Sequence, residues 1–302
     1  MMNKDRYERN EAYLSSLKSL ETENYIDRVF YRPVGFRIAW SLRNTGITPN
    51  TITVISIVVG MMGAWSFYYD SIWMTLLGIA GLVTANILDC VDGQLARLTG
   101  IKSKIGRILD GMAGDLWFIT LYTAIALRMY DASGHWIFIV GAVLSMMSHL
   151  VQAAVTDLYK TFHLWVIGGK NGKEFESYAV VKSRVDAMPV GFSRLVSRIY
   201  SYYTLMQAKL SPKLQKLANR LVVKHFTEEE SLGFRQGSML IQKLINLMTF
   251  NGRTMALFVS ALLGIPWFYF VYEVLFLNIV AVVSRAQHET LCKIYLEQLG
   301  DE

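Results

Sequence analysis

Four stretches of the chain, Ile52 to Tyr69, Ile72 to Leu88, Leu116 to Leu127 with its polar lead-in, and Trp136 to Thr156, contain no lysine or arginine at all. A helix needs about 20 predominantly apolar residues to cross a bilayer core, so these stretches restrict the fold more than any motif does. A fifth, Thr254 to Ser284, is interrupted only by Glu273. At about 1.5 Å per residue it is too long for one crossing of about 30 Å. It is read as parts of two spans hinged at Pro266. The fifth span must then begin upstream, near Leu244, and carry Asn246, Asn251 and Arg253 in its first turns. Only 18% of the 302 residues are charged while 53% are hydrophobic, a balance unusual for a soluble enzyme. The expected fold is an all-α integral membrane protein with six transmembrane helices, an N-terminal amphipathic interfacial helix and a cytoplasmic helical insertion.

Lysine and arginine are plentiful before Asn50, recur at Lys102, Lys104 and Arg107, and crowd the segment from Lys160 to Lys243. The loops on the other side offer Asp70, Asp131 and only Arg128. Short cytoplasmic loops carry the positive excess, so both termini are expected in the cytoplasm. The net charge of +6 then suits anionic headgroups, since the positive residues flank spans and no aromatic-basic reader of nucleic acid is present. The polar first residues do not resemble a cleaved leader, so insertion is expected to rely on the later spans. Cys90 and Cys292, both expected at the cytoplasmic face, are expected to stay reduced.

Residues 1–47 read as an amphipathic cytoplasmic arm that lies flat on the membrane. Tyr25, Val29, Phe36 and Trp40 fall close together at helical spacing, and Arg28, Arg32 and Arg37 are placed to reach headgroups. Residues 48–158 hold the first four spans, which "GITPN" introduces. Pro49 suits a first helical turn, and Asn50 and Thr51 are candidates to bond its free backbone donors. Residues 159–238 form a cytoplasmic helical insertion. Its "GGKNG" lacks the spacing and the Ser or Thr of a phosphate-binding loop and is read as a connector. Residues 239–302 supply spans five and six and a C-terminal tail.

Charge is expensive in a span, yet "DCVDGQLARLTG" places Asp89, Asp92 and Arg97 at the end of the second. At 3.6 residues per turn Asp89, Asp92, Gly93 and Ala96 share one helical face, with Arg97 at its edge. Beyond a short basic loop, "GRILDGMAGD" adds Gly106, Asp110 and Asp115 at the start of the third span. Four gathered carboxylates repel one another, and a single arginine cannot neutralise them. Two hard divalent cations can, and carboxylate oxygens favour Mg²⁺ or Mn²⁺ over zinc. Such a pair suits a diphosphate undergoing phosphoryl transfer.

The string Asp89-x2-Asp92-Gly93-x2-Ala96-Arg97-x8-Gly106-x3-Asp110 resembles the signature of the CDP-alcohol phosphotransferases (CDP-alcohol phosphatidyltransferases), membrane enzymes that make phospholipids by displacing CMP. Seven fixed residue types recur by chance with a probability on the order of 10⁻⁶ in such a chain. The resemblance implies that Asp89, Asp92, Asp110 and Asp115 hold two Mg²⁺ or Mn²⁺ ions and that Asp115 acts as the base. It implies Arg97 on the donor's diphosphate, and Gly93, Ala96, Gly106, Asn50 and Thr53 around the nucleotide. A CDP-linked donor, an alcohol acceptor, membrane lipids and a second copy in a homodimer are the implied partners. Inositol or inositol phosphate on CDP-diacylglycerol ranks first, and a CDP-linked polar alcohol with a lipid hydroxyl acceptor is the alternative. A divalent-cation transporter is the rival of another class.

One position departs from the pattern. The last aspartate is expected four residues after Asp110, where Gly114 stands, and the carboxylate arrives one later at Asp115. In a regular helix this turns it by about 140° from Asp110. A π-bulge would restore the alignment, helped by Gly111 and Gly114; the other outcome is a site with three aspartates. Outside the motif, His149 inside a span is either a functional candidate or, equally, a neutral side chain bonded to a neighbouring helix, and it is left out of the site; Glu273 and Asn278 are read as structural hydrogen-bonding groups. Arg253, Lys104 and Arg107 are read as span anchors that could also meet an anionic acceptor.

Overall fold

The computed structural model describes the backbone of residues 2–17, 21–101, 103–168 and 175–300, with side chains except those of 2–7, 104, 105, 107, 108, 192 and 196. Lys102, the side chains of Lys104 and Arg107, and most of the "GGKNG" connector therefore lie outside the described residues. The helices in chain order are α1 (Met2–Ser16), α2 (Arg32–Leu42), α3 (Pro49–Trp65), α4 (Ile72–Thr99), α5 (Lys104–Ser133), α6 (Ile137–Gly168) and α7 (Tyr178–Asp186). They continue with α8 (Phe192–Leu210), α9 (Pro212–Val223), α10 (Glu228–Ile245), α11 (Phe250–Leu262), α12 (Phe268–Val271) and α13 (Leu277–Gln298). Single π turns occupy Asp27–Tyr31 and Tyr272–Phe276. No strand occurs among the described residues.

Among the described residues, four helical stretches are long and apolar enough to cross a membrane: Pro49–Tyr68, Ile72–Thr99, Ile137–Gly168 and Phe268–Gln298. The third and fifth expected spans fall outside this set. Helix α5 has 30 residues and reaches about 45 Å, but charge at both ends dilutes its apolar middle. Helix α11 has 13 residues and begins at Phe250 rather than near Leu244. A 3₁₀ turn at Asn246–Met248 and extended backbone at Thr249 (ψ 177°) separate it from α10. Asn246 is thus left outside α11, while Asn251 and Arg253 stay in its first turns. Pro266 lies between α11 and α12, where Gly264 turns the chain at φ 74°.

The chain forms two compact units. The first comprises residues 1–149 and 250–274, the second 150–249 and 275–302. In the first unit α3 and α4 pack so closely that a Cβ at Gly63 would lie 2.9 Å from the Gly81 Cα. Phe67, Leu82, Trp117, Phe118, Leu121, Tyr122, Leu257 and Tyr269 build its core. A smaller cluster of Ala39, Ile52, Val91 and Leu95 seats α2 against α3 and α4. In the second unit α9 buries Leu214, Leu217 and Leu221, and Glu289 of α13 accepts the Lys213 and Leu214 N–H groups at 2.9 and 3.1 Å. A carboxylate there satisfies free donors and complements the helix dipole.

Two local expectations are corrected. Thr48, not Asn50, caps α3: its hydroxyl accepts from the Thr51 N–H at 3.3 Å, with Pro49 in the first turn as expected. In the arm, the four apolar residues do not form one exposed face. Tyr25 and Val29 are exposed while Phe36 is buried, because the π turn at Asp27–Tyr31 shifts the register between the two pairs. Arg32 reaches Glu23 at 3.0 Å rather than open headgroups. Burial pushes the Glu23 carboxyl above its ordinary range, and the Arg32 guanidinium beside it opposes the rise.

Candidate metal and nucleotide site

Helix α4 ends at Gly100, whose φ of 72° favours glycine, and α5 starts three residues later at a Ser103 cap. This tight connection brings the last turns of α4 and the first of α5 together. One carboxylate oxygen from each of Asp89, Asp92 and Asp110 lies within 4.8 Å of the others, with Asp92 buried, Asp89 half-buried and Asp110 exposed. At an effective dielectric of about 20, each ionised pair at such a distance repels by on the order of 3 kcal/mol. The Thr53 hydroxyl donates to Asp92 Oδ2 at 2.5 Å and so fixes one carboxylate from α3. The donor set is oxygen only, which fits a hard divalent cation.

The small residues frame this group in ways the sequence did not show. A Cβ on Gly106 would meet Asn50 Oδ1 at 2.1 Å, so the space left by this glycine is taken by Asn50. Asn50 in turn exchanges hydrogen bonds with the Ser103 hydroxyl at 3.0 and 3.1 Å, tying α3 to the start of α5. A Cβ on Gly93 would lie 3.3 Å from the Arg97 guanidinium, so Gly93 makes room for that side chain. Arg97 Nε donates to the Ser16 carbonyl of the N-terminal arm. Ala96 is half-buried on the same helix. Gln94, which the sequence reading passed over, is buried and donates to Ser16 Oγ at 3.3 Å and to the Arg32 carbonyl at 3.2 Å. Its one sequence signal was a polar residue facing inward two positions after Asp92. Arg97 and Ser16 are 81 positions apart, and no local pattern announces such a contact.

Asp115 stands apart from the three aspartates. Helix α5 is regular from Lys104 to Ser133, so the π-bulge is absent and Asp115 keeps its rotation of about 140° from Asp110. Its Oδ1 lies 3.2 Å from His149 Nε2, and His149 Nδ1 lies 3.1 Å from the Tyr122 hydroxyl. The consistent assignment has Nε2–H donating to Asp115 and Nδ1 accepting from tyrosine. His149 is thus a bonded side chain between helices, one of the two outcomes the sequence left open. Arg253 and Glu273, 1% and 0% exposed, form a buried ion pair close by, with Glu273 Oε1 3.9 Å from His149 Nδ1. Arg253 lies 5.8 Å from the Phe118 ring centre. Asn278 accepts from Gln152 at 2.8 Å, a structural bond of the second unit.

Residues 46–170 match the family model described as CDP-alcohol phosphatidyltransferase. The match is to a CDP-alcohol phosphatidyltransferase domain and covers less than half of the chain. That domain contains every motif residue from Thr48 to Asp115. Among curated relatives, an archaetidylinositol phosphate synthase of Pyrococcus horikoshii is 37% identical over 91 residues, covering 30% of this chain and 47% of that protein. A CDP-diacylglycerol–serine O-phosphatidyltransferase of Helicobacter pylori is 39% identical over 70 residues, 23% of this chain and 28% of that protein. Cholinephosphotransferase 1 of Mus musculus is 27% identical over 139 residues, 41% of this chain and 35% of that protein. The matches thus cover less than half of each relative's length. Four apolar helices among the described residues, together with the family match, support an integral membrane protein.

Proposed function

We propose that this protein is a phospholipid-synthesising phosphotransferase. An alcohol oxygen attacks the phosphorus of a CDP-linked donor, the new P–O bond forms as the bond to CMP breaks, and a phosphodiester results. The observation that carries this reading is the convergence of Asp89, Asp92 and Asp110 within 4.8 Å inside the matched domain. These three would hold two divalent cations, Mg²⁺ or Mn²⁺. When bound, such ions clamp a diphosphate and offset charge on the entering and leaving oxygens. Thr53 orients Asp92. Arg97, a planar and always charged donor, meets the diphosphate once it exchanges the Ser16 carbonyl for phosphate oxygens. Gly93 seats the Arg97 guanidinium beside the nucleotide and Ala96 leaves the α4 face low, while Asn50 and Gly106 fix the spacing of α3 and α5 beside it. Asp115 takes the proton of the attacking hydroxyl, with His149 holding its carboxylate in place. It acts from beside the cation group, outside the three carboxylates that converge.

The preferred pairing is CDP-diacylglycerol with inositol or inositol phosphate, in keeping with the product named for the Pyrococcus relative. The alternative is a CDP-linked polar alcohol with a lipid hydroxyl acceptor, in keeping with the name of the mouse relative. The lysine and arginine pattern supports both termini and the site on the cytoplasmic side, with α5 as a further span; α11, 13 residues and about 20 Å long, is short of a full crossing. A homodimer is part of the same proposal. The test is purified protein with CDP-diacylglycerol, CDP-ethanolamine or CDP-choline and a panel of acceptors, reading CMP. Release with CDP-diacylglycerol and inositol phosphate is the expected result. No CMP with any pair, alongside metal flux into vesicles, would replace the enzyme by a transporter.

A further inference from the structure

Helix α8 is inside out for a helix in water. Leu195, Ile199 and Tyr202 fall within an arc of about 60° at 100° per residue and are 56%, 64% and 66% exposed. Thr204 and Gln207, on the opposite side, are buried. The polar face therefore packs against the second unit and the apolar face is left outside. The helix contains Arg194, Arg198 and Lys209 and no acidic residue. Arg198 and Lys209 are exposed at the edge of the apolar stripe.

Two contacts fix the level at which this helix lies. Gln207 Nε2 donates to the Ala154 carbonyl at 3.0 Å and to Asp157 Oδ2 at 3.3 Å. Asp157 is the first charged residue after the apolar window that ends at Thr156. Arg285 Nε donates to the Leu210 carbonyl at 2.5 Å, and Arg285 is the first charged residue after the apolar run that ends at Ser284. The C-terminal half of α8 is thus attached to two membrane helices where their apolar stretches give out. That is the level of the lipid headgroups.

We propose that α8 is an in-plane membrane helix whose Leu195, Ile199 and Tyr202 enter the bilayer surface while Arg194, Arg198 and Lys209 hold anionic lipid headgroups. A basic helix of this kind buries its apolar face about 5–10 Å into the boundary between headgroups and acyl chains. Anionic lipid is the occupant because the stripe is bordered by positive charge only. The proposal rests on the membrane reading and not on the phosphotransfer reading. Loss of CMP release leaves it standing.

The test uses the full chain reconstituted into vesicles of phosphatidylcholine with phosphatidylglycerol, with single nitroxide labels at Leu195→Cys, Ile199→Cys, Tyr202→Cys and, as control, Ser193→Cys. Collisional relaxation by oxygen and by a water-soluble nickel chelate gives the depth of each label. The expected result is oxygen-dominated relaxation at the three stripe positions, about 5–10 Å below the phosphates, and nickel-dominated relaxation at position 193. Arg194→Gln with Arg198→Gln, or phosphatidylcholine alone, should move the stripe labels toward water. Stripe labels open to nickel in the mixed vesicles overturn the proposal, and so do labels shielded from both reagents, which would mean that protein covers the face. Equal depth with and without the arginines or the anionic lipid overturns the assignment of the occupant.

Discussion

Two of the groups of ionisable residues in the first unit are built on opposite principles. Asp89, Asp92 and Asp110 bring one sign of charge together within 4.8 Å, with Asp110 open to solvent. Arg253 and Glu273 oppose unlike charges inside a sealed core, with Asp115, His149 and Tyr122 bonded in series beside them. The Arg253–Glu273 pair balances itself, whereas the first group gathers three carboxylates of like charge. A buried charge that already has its partner is architecture, while a like-charge group at an open mouth is a binding site in wait of a ligand. Asp115 lies on the border between the two.

The sharpest break of this comparison is Asp92→Asn. CMP release should fall roughly 10³-fold and divalent-cation binding by calorimetry should be lost, while thermal unfolding changes little. Arg253→Met should do the reverse. Leaving Glu273 charged and unpaired costs about 3–5 kcal/mol of stability, seen as a lowered unfolding temperature with cation affinity unchanged. The double variant Arg253→Met with Glu273→Leu should recover most of that loss. Asp115→Asn locates the border: a fall of about 10²-fold in kcat with cation affinity kept assigns it to proton transfer. Full activity would place it with the structural group.

Smaller effects sharpen the frame of the site. Gly106→Ala should cost about 1–3 kcal/mol, because the new methyl group meets Asn50, and adding Asn50→Ala should relieve much of it. Glu23→Gln should have the smallest effect. Its folded carboxyl titrates above the ordinary value of 4.5, so ionisation costs stability that is intact below that value and is lost as the pH rises through the folded pKa. Unfolding temperatures of the variant and the parent, compared at pH 5 and pH 8, should therefore move in favour of the variant at the higher pH.

Much of this was readable from the chain. The spacing of Asp89, Asp92 and Asp110 placed three carboxylates at one helix end and one helix start, because an i, i+3 pair shares a face and the connection is short. The start of α11 was not legible, because a 3₁₀ turn and a break at Thr249 leave little trace in an apolar pattern. Nor was the exposure pattern of the arm, since a single π turn shifts register without a composition of its own.

The sequence by itself determined the apolar helices and the spacing of the three carboxylates, since each follows from local pattern and from the cost of charge in lipid. Only the tertiary structure decided what fills the room left by Gly106 and Gly93, what holds Asp115, and which face of α8 is left outside. Those outcomes depend on side chains brought together from distant positions, and packing between helices carries no period along the chain.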